Sequence, residues 1–294
     1  MATLREVRRR IGGVRKTQKI TRAMKMVAAA KLRRRQAAVI AARPYARKMK
    51  ELLAHLSGIP EAASSDLMTP REIKSIALIV VTSDRGFCGA FNANLLKAAV
   101  AHAEAQPDET GTGKALKIFS IGKKGTDFFT KRQYNIASRR VGLFARLDFT
   151  AAKEIAGEVT EGYLRGEYDR VDIVYNEFKT VAQQRIVIEQ YLPIPQSDTG
   201  RRGGPAAEYI YEPGRHEILL SLIPRHLNFQ LWRVLLESNA AEEGARMAAM
   251  ENATENAREL ITSLQLQYNK ARQASITKEL LEVVAGAEAL SAGE

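Results

Sequence analysis

The segment Ile76-Ala-Leu-Ile-Val-Val-Thr82 decides the fold of the central part of the chain. A continuous apolar run of this kind is typical of a strand that is buried on both faces, as in a parallel sheet covered by helices. Similar strand-like runs occur at Lys117–Ile121 and Val171–Tyr175, and helical patterns occur at Ala93–Ala105, Thr126–Arg132 and Ala151–Leu164. This alternation predicts an α/β domain with a mostly parallel sheet over residues 74–192. Val181–Leu192 alternates near its end and is predicted as an edge or antiparallel strand.

Outward from this domain, both ends of the chain predict long helices. Residues 1–57 contain a single proline, Pro44, and their apolar residues recur at spacings of three and four, as in a coiled-coil seam. Residues 215–290 are the second predicted helix, whose alanine-rich middle lets another helix approach closely. Two such helices are best buried against each other, and they run antiparallel because the middle of the chain connects them. Residues 193–214 remain as a loop segment.

The predicted fold class is therefore α/β. It combines a long antiparallel coiled coil of the N- and C-terminal helices with a central Rossmann-like domain that has a mostly parallel sheet. The net charge of +12 is concentrated at one end: residues 1–50 carry seventeen Lys and Arg and one acid, Glu6, a balance of +16, so the other 244 residues carry −4. On the residues alone, this basic segment fits a solvated helix face, a nucleic-acid-binding arm, a transit peptide, or a helix that an acidic partner surrounds.

Composition argues against several kinds of site. The single cysteine, Cys88, permits no internal disulfide and favours a reducing compartment. The four histidines form no pair at helical spacing, so no metal site is predicted. No run of about 18 uncharged apolar residues occurs, so no membrane span is predicted.

Two glycine-containing loops follow predicted strands. The loop after the first strand contains a thiol, an acid and a base at an edge of the sheet where ligands often bind. Because no histidine lies nearby in sequence to activate the thiol, we predict a structural turn made by Asp84, Arg85, Gly86, Cys88 and Gly89. The segment Gly122–Gly125 could hold an anion at a helix N-terminus, but a plain turn is favoured. Glu242 and Glu243 diverge by about 100° on their helix and are not predicted to be a catalytic pair.

Five stretches carry specific patterns in a fixed order: Thr17–Lys31, Arg43–Tyr45, Asp84–Gly89, Tyr268–Leu280 and Ile276–Ala287. They closely resemble the gamma subunit of F-type ATP synthase, of the bacterial type, and the resemblance runs over nearly the full length. It implies a central rotor shaft that couples proton-driven rotation of the c-ring to ATP synthesis or hydrolysis in the hexamer of alpha and beta subunits. Since a gamma subunit makes and breaks no covalent bonds, the resemblance implies no catalytic residues, metal or cofactor in this chain. ATP, ADP and Mg²⁺ would be bound by alpha and beta.

The resemblance also assigns contact roles by position in these motifs. Contacts to the stator subunits alpha and beta are implied for Arg272, Gln273, Thr277 and Glu279, with Met24 and Lys25 opposite them on the N-terminal helix. Residues 193–214 would include the foot, where Tyr209 and Glu212 contact the c-ring and the epsilon subunit.

The implied partners are therefore alpha, beta, epsilon and the c-ring, with an inhibitory subunit as a further candidate and no nucleic acid. The chain is expected at the cytoplasmic face of the bacterial inner membrane, associated with the membrane only through the complex. The residues by themselves leave one alternative, an α/β protein that binds nucleotides or nucleic acid and has basic helical arms.

Overall fold

A computed structural model describes residues 3–56, 65–105, 115–180, 183–195, 212 and 214–291. The helices are α1 (Leu4–Leu56), α2 (Phe91–Glu104), α3 (Lys123–Lys131), α4 (Phe149–Leu164) and α5 (Arg215–Ser291). The strands are β1 (Ser75–Val81), β2 (Ala115–Ile121), β3 (Ile136–Arg140), β4 (Arg170–Phe178) and β5 (Gln184–Leu192). The chain divides into two units, one formed by Met1–Val27 with Met247–Glu294 and the other by Ala28–Arg246.

The unit Ala28–Arg246 contains one five-stranded sheet in the order β3-β2-β1-β4-β5. The pairs β1–β2, β1–β4 and β2–β3 are parallel, while β4 and β5 are antiparallel. The mostly parallel sheet and the antiparallel strand before Leu192 are thus confirmed, although the first residues predicted for that strand lie outside the described part.

The sheet is buried on both faces, as the apolar run at its centre predicts. On one face, Ile79 and Val81 of β1 pack with α4 and with the first half of α5. On the other face, Leu78 and Val80 pack with α2 and with Phe129 of α3. Alternate β1 side chains therefore belong to two different hydrophobic clusters, which explains why this strand has no polar side.

In the same unit, α1 and α5 approach each other through small side chains. Ala240 and Ala241 of α5 are fully buried in a cluster that also contains Leu32 and Val39 of α1. Cys88, from the loop after β1, joins this cluster. The alanine-rich middle of α5 therefore permits close helix packing, as the sequence indicates.

In the unit formed by Met1–Val27 and Met247–Glu294, α1 and α5 form an antiparallel pair. Val7 and Ile11 are buried against Leu264, and further along α1 Thr21 lies against Thr254. Residue numbers on α5 fall as those on α1 rise, so the helices run in opposite directions. Together with the sheet topology, this pair confirms the predicted fold class.

Candidate functional site

The Asp84 carboxylate joins the carboxyl ends of three neighbouring parallel strands. Its Oδ1 accepts hydrogen bonds from the backbone N–H of Lys123, at 3.0 Å, and of Gly142, at 2.8 Å. Lys123 begins α3 directly after β2, and Gly142 follows β3. Because Asp84 itself follows β1, one side chain fixes the relative positions of three loops.

The N-terminus of α3 is saturated by hydrogen bonds from within the chain. After the bond to the carboxylate, the N–H groups of Lys124 and Gly125 donate to the Ser83 carbonyl and to Thr82 Oγ1, at 3.1 and 2.8 Å. Gly122 has φ 94°, and a Cβ at this position would lie 2.2 Å from the Thr82 carbonyl oxygen. Since these first N–H groups already have acceptors, the segment is a turn and offers no site for an anion.

Cys88 belongs to a hydrogen-bond network inside the loop after β1. Asn92 Nδ2 lies 3.2 Å from Cys88 Sγ and donates to Ser83 Oγ at 2.7 Å, while Asn92 Oδ1 accepts from the Ser83 N–H at 2.9 Å. Burial raises the pKa of the Cys88 thiol. A buried thiol with a raised pKa is a poor nucleophile, so this geometry fits a packing role.

The tip of this loop points two side chains outward. Phe87 is 74% exposed and has φ 62°, a conformation that a bulky residue adopts only when its surroundings impose it. Arg85 is also exposed. Between them, the Gly86 carbonyl accepts a hydrogen bond from Arg246 Nη2 at 3.4 Å. The loop is thus held from the side of α5.

A buried cluster of charged side chains surrounds Arg246, and the sequence analysis missed it. Arg246 bridges Glu242 and Glu243, with 3.0 Å between its Nη1 and Glu243 Oε2. Arg35 and Lys31 of α1 lie 3.6 and 3.7 Å from the other Glu243 oxygen. Burial raises the pKa of Glu242, although Arg246 opposes this shift. The sequence spacing could have indicated this cluster, because Arg246 follows Glu243 by three positions and Glu242 by four.

A second polar group, half-buried except for the buried Tyr175, connects β4, β5 and α5. Arg233 Nη2 lies 2.7 Å from Glu189 Oε1, and Arg233 Nη1 donates to the Tyr175 hydroxyl at 3.1 Å. Gln230 Nε2 donates to the same Glu189 oxygen at 3.2 Å. Glu189, Gln230 and Arg233 also line a cavity of about 500 Å³ between α1, β5 and α5. These polar groups are therefore part of the cavity wall, and they bind one another there.

The polar residues predicted as stator contacts lie on the exposed last part of α5. Arg272, Gln273, Thr277 and Glu279 all have exposed side chains. Thr277 Oγ1 donates to the Gln273 carbonyl at 3.0 Å, and the Glu279 carboxylate accepts from the Ser275 hydroxyl at 3.2 Å. At 3.6 residues per turn the four predicted contacts span about half of the helix circumference. They form one broad polar surface.

The expectation that Met24 and Lys25 lie opposite these residues is wrong. Lys25 Nζ lies 2.6 Å from Glu251 Oε1. Because α1 begins at Leu4 and its first turns pack against Leu264, the antiparallel register places Lys25 beside a part of α5 that precedes the predicted contacts. Of the two predicted foot residues, Glu212 is exposed and Tyr209 lies outside the described residues.

Metal binding and membrane insertion are two further roles that bear on the function. Among the described residues, no group of three or more His, Cys, Asp or Glu side chains is arranged to hold a metal ion. In the same part of the chain, no helix combines the length and apolarity that crossing a membrane requires.

Comparisons with known proteins agree with one another. The family model described as ATP synthase matches residues 3–290. The ATP synthase gamma chain of Chloroherpeton thalassium is 51% identical over 300 residues, which cover 99% of both chains. The ATP synthase gamma chain of Chlorobium phaeobacteroides is 52% identical over 293 residues, again covering 99% of both chains.

Two solved structures contain chains of similar fold. One is the central stalk and c-ring of the Tetrahymena thermophila mitochondrial ATP synthase, with a TM-score of 0.61 and 27% identity over 80% of this chain and 99% of that chain. The other is the OSCP, F1 and c-ring assembly of the Euglena gracilis mitochondrial ATP synthase in rotational state 3. Its matching chain has a TM-score of 0.67 and 22% identity, over 99% of this chain and 95% of that chain.

Proposed function

This chain belongs to the family of ATP synthase gamma chains and is a central stalk subunit of that enzyme, and we propose that its terminal helices form the axle that transmits rotation to the catalytic subunits. The matching Tetrahymena chain belongs to a structure of the central stalk and c-ring, and the matching Euglena chain belongs to one of OSCP, F1 and the c-ring. These assemblies support alpha, beta and the c-ring as partners of this chain. In this function the c-ring turns the axle, and the axle changes the conformation of nucleotide sites that lie on alpha and beta.

The observation that carries this proposal is the exposed apolar surface of the last part of α5. No side chain from Gln265 to Ala287 is buried. The large apolar residues in this stretch are 49–71% exposed: Leu266, Ile276, Leu280, Leu281, Val283 and Val284. Burying such a side chain completely is worth about 1.5–3 kcal/mol. An exposed apolar stretch of this size marks an interaction surface, and a collar formed by other subunits would cover it.

The polar residues on the same stretch are suited to contacts that change as the axle turns. Exposed charge pairs contribute about 0–1 kcal/mol each, so Arg272 and Glu279 can exchange stator partners without holding the axle at one angle. Gln273 and Thr277 add hydrogen-bonding groups beside them. Met24, half-buried on α1, would add an apolar contact. These contacts must still differ between rotor angles, because only differential interactions can bias the catalytic sites.

We propose that residues 193–214 include the foot, where Tyr209 and Glu212 contact the c-ring and the epsilon subunit. An inhibitory subunit is a further candidate partner of the stalk. The chain would then lie at the cytoplasmic face of the bacterial inner membrane and be bound to it peripherally. Nucleotides and Mg²⁺ would be bound by alpha and beta.

The test is the double substitution Arg272→Ala with Gln273→Ala in the full complex. ATP synthesis by membrane vesicles should fall, because polar contacts to the stator are lost, while the amount of assembled complex stays unchanged. The matched control is Lys153→Ala with Glu154→Ala on the exposed face of α4, which should synthesise ATP at the normal rate. A normal synthesis rate in the R272A/Q273A vesicles would remove these residues from the mechanism.

A further inference from the structure

Two polar contacts join α1 to α5 in the unit formed by Met1–Val27 and Met247–Glu294. The hydroxyl oxygens of Thr21 and Thr254 are 2.8 Å apart. Lys25 Nζ lies 2.6 Å from Glu251 Oε1. The two contacts are four positions apart on α1 and three on α5, so they lie on the same side of each helix, one turn from each other.

Each hydroxyl of the threonine pair also has a carbonyl acceptor on its own helix. Thr254 Oγ1 donates to the Met250 carbonyl at 2.7 Å, and a hydroxyl has only one proton to donate. With that proton used, Thr21 donates the bond between the two hydroxyls; when Thr21 donates to the Gln18 carbonyl instead, Thr254 is the donor across the pair. Thr21 also lies 3.1 Å from the Gln18 carbonyl, the longest of these contacts, which competes for the same proton. This arrangement requires both threonines to sit at one axial alignment of the helices.

The buried apolar cluster of this unit lies at the first turns of α1, where Val7 and Ile11 pack against Leu264. Between Gly12 and Val27, Thr21 is the one α1 side chain that is buried. Further along α1, the larger apolar residues Ile20, Met26 and Val27 are 55–61% exposed. In paired helices, a polar residue in the apolar seam characteristically specifies register at some cost in stability.

We propose that Thr21–Thr254 and Lys25–Glu251 form a register clasp, which fixes the axial alignment of α1 against α5 in this unit. Lys25 is then a positioning residue that acts within the chain, not a contact to alpha or beta. A slip by one helical turn would shift the helices by about 5.4 Å and misplace the exposed surface of α5. The inference rests on the proposed function in one respect: a loss of alignment is detected as a loss of ATP synthesis.

The first test is a charge exchange in the full complex. Lys25→Glu and Glu251→Lys should each lower ATP synthesis by vesicles roughly two- to fivefold, the range that one exposed charge pair is worth. The double variant K25E/E251K restores the pair in reverse and should recover synthesis. The matched control K19E/E251K carries the same net charge without restoring the pair, because Lys19 is an exposed α1 residue outside the clasp, and it should stay impaired.

The second test fixes the register of the two helices with a disulfide. It also tests the register clasp if a charge variant fails to assemble. The side chains at positions 21 and 254 contact each other across the two helices, so cysteines at these positions can test the alignment by cross-linking. T21C/T254C should therefore form an intrachain disulfide in the assembled complex, and in the K25E background oxidation should recover synthesis while reduction should abolish the recovery.

Three results would overturn the proposal: normal synthesis in both single charge variants, no recovery in K25E/E251K, or no disulfide between positions 21 and 254. Loss in K25E without recovery by either route would mean that Lys25 contacts another subunit. The outcome for R272A/Q273A does not enter these comparisons. A failure of the stator-contact proposal can therefore be told apart from a failure of the register clasp.

Discussion

Arg246→Met isolates the energetic role of the buried charge cluster on α5. The substitution removes the guanidinium from Glu242 and Glu243 and keeps a long apolar side chain. Glu243 retains Arg35 and Lys31, whereas Glu242 has no other ion pair within the described residues. Removing one partner of a buried ion pair costs roughly 3–5 kcal/mol, and because one of the two carboxylates stays compensated we expect about 3 kcal/mol.

The single tryptophan of the chain gives a local assay. Trp232 stands on α5 with its ring 6.0 Å from that of Phe149, so its fluorescence in a urea titration follows the unfolding of the unit Ala28–Arg246. The matched control is E242Q/R246M, which removes the unpaired charge and should cost only about 1 kcal/mol. The prediction is wrong if the free energy of unfolding of R246M is within about 1 kcal/mol of that of the parent chain, or if E242Q/R246M is as unstable as R246M.

The loss of stability in R246M should also depend on pH. Burial already raises the pKa of Glu242 above its ordinary value of 4.5, and removing the neighbouring cation raises it further. Between the ordinary and the raised pKa, the folded state binds more protons than the unfolded state, so stability decreases as the pH rises through the folded-state pKa. The deficit of R246M should therefore shrink as the pH is lowered from neutral toward 4.5, and E242Q/R246M should lack this dependence.

Two further predictions concern the loop after β1. Asp84→Ala leaves the N–H groups of Lys123 and Gly142 without their acceptor and should lower the free energy of unfolding by about 1–3 kcal/mol, whereas Asp84→Asn keeps an oxygen in place and should cost less than about 1 kcal/mol. Equal losses in the two variants, measured by urea unfolding, would show that Asp84 does not act through these bonds. Cys88 is 3% exposed and has a raised pKa, so a thiol reagent at neutral pH should label the native chain slowly and the urea-unfolded chain fully. Rapid labelling of the native chain would contradict this description.

The sequence predicted β1, β2 and β4, whose side chains are largely buried, and also the half-buried edge strand β5, but it missed the other edge strand, β3. The runs at β1, β2 and β4 are apolar because helices cover both faces of the sheet there. In contrast, β3 is Ile-Ala-Ser-Arg-Arg at an edge of the sheet, with alternating half-buried and exposed residues and a register shift against β2. A strand with one apolar anchor, Ile136, carries too little hydrophobic pattern to be recognised.

Polar contacts between distant segments were the least predictable part of the site. The positions of Glu242 and Glu243 on one helix predict diverging side chains, yet Arg246, one turn further on, reaches both. Motif position places Lys25 opposite the predicted contacts on α5, but its neighbour there is set by the register of α1 against α5, which depends on contacts far apart in sequence. Periodicity gives the face of a helix and says nothing of its axial alignment.

A buried stretch of α5 shows how polar side chains can fix the axial alignment of a helix. Every residue from Val234 to Arg246 is buried, and a helix buried on all sides is normally apolar. This stretch nevertheless carries three acids and an arginine, together with Ser238 and Asn239. Well-packed apolar residues of similar volume would be as stable or more stable, so maximal stability does not account for these side chains. An alanine-lined apolar surface does little to fix the axial alignment of two helices, because its small side chains interlock weakly. Charged groups that must meet across α1 and α5 at fixed distances penalise every other alignment, and a helix that transmits force requires that property.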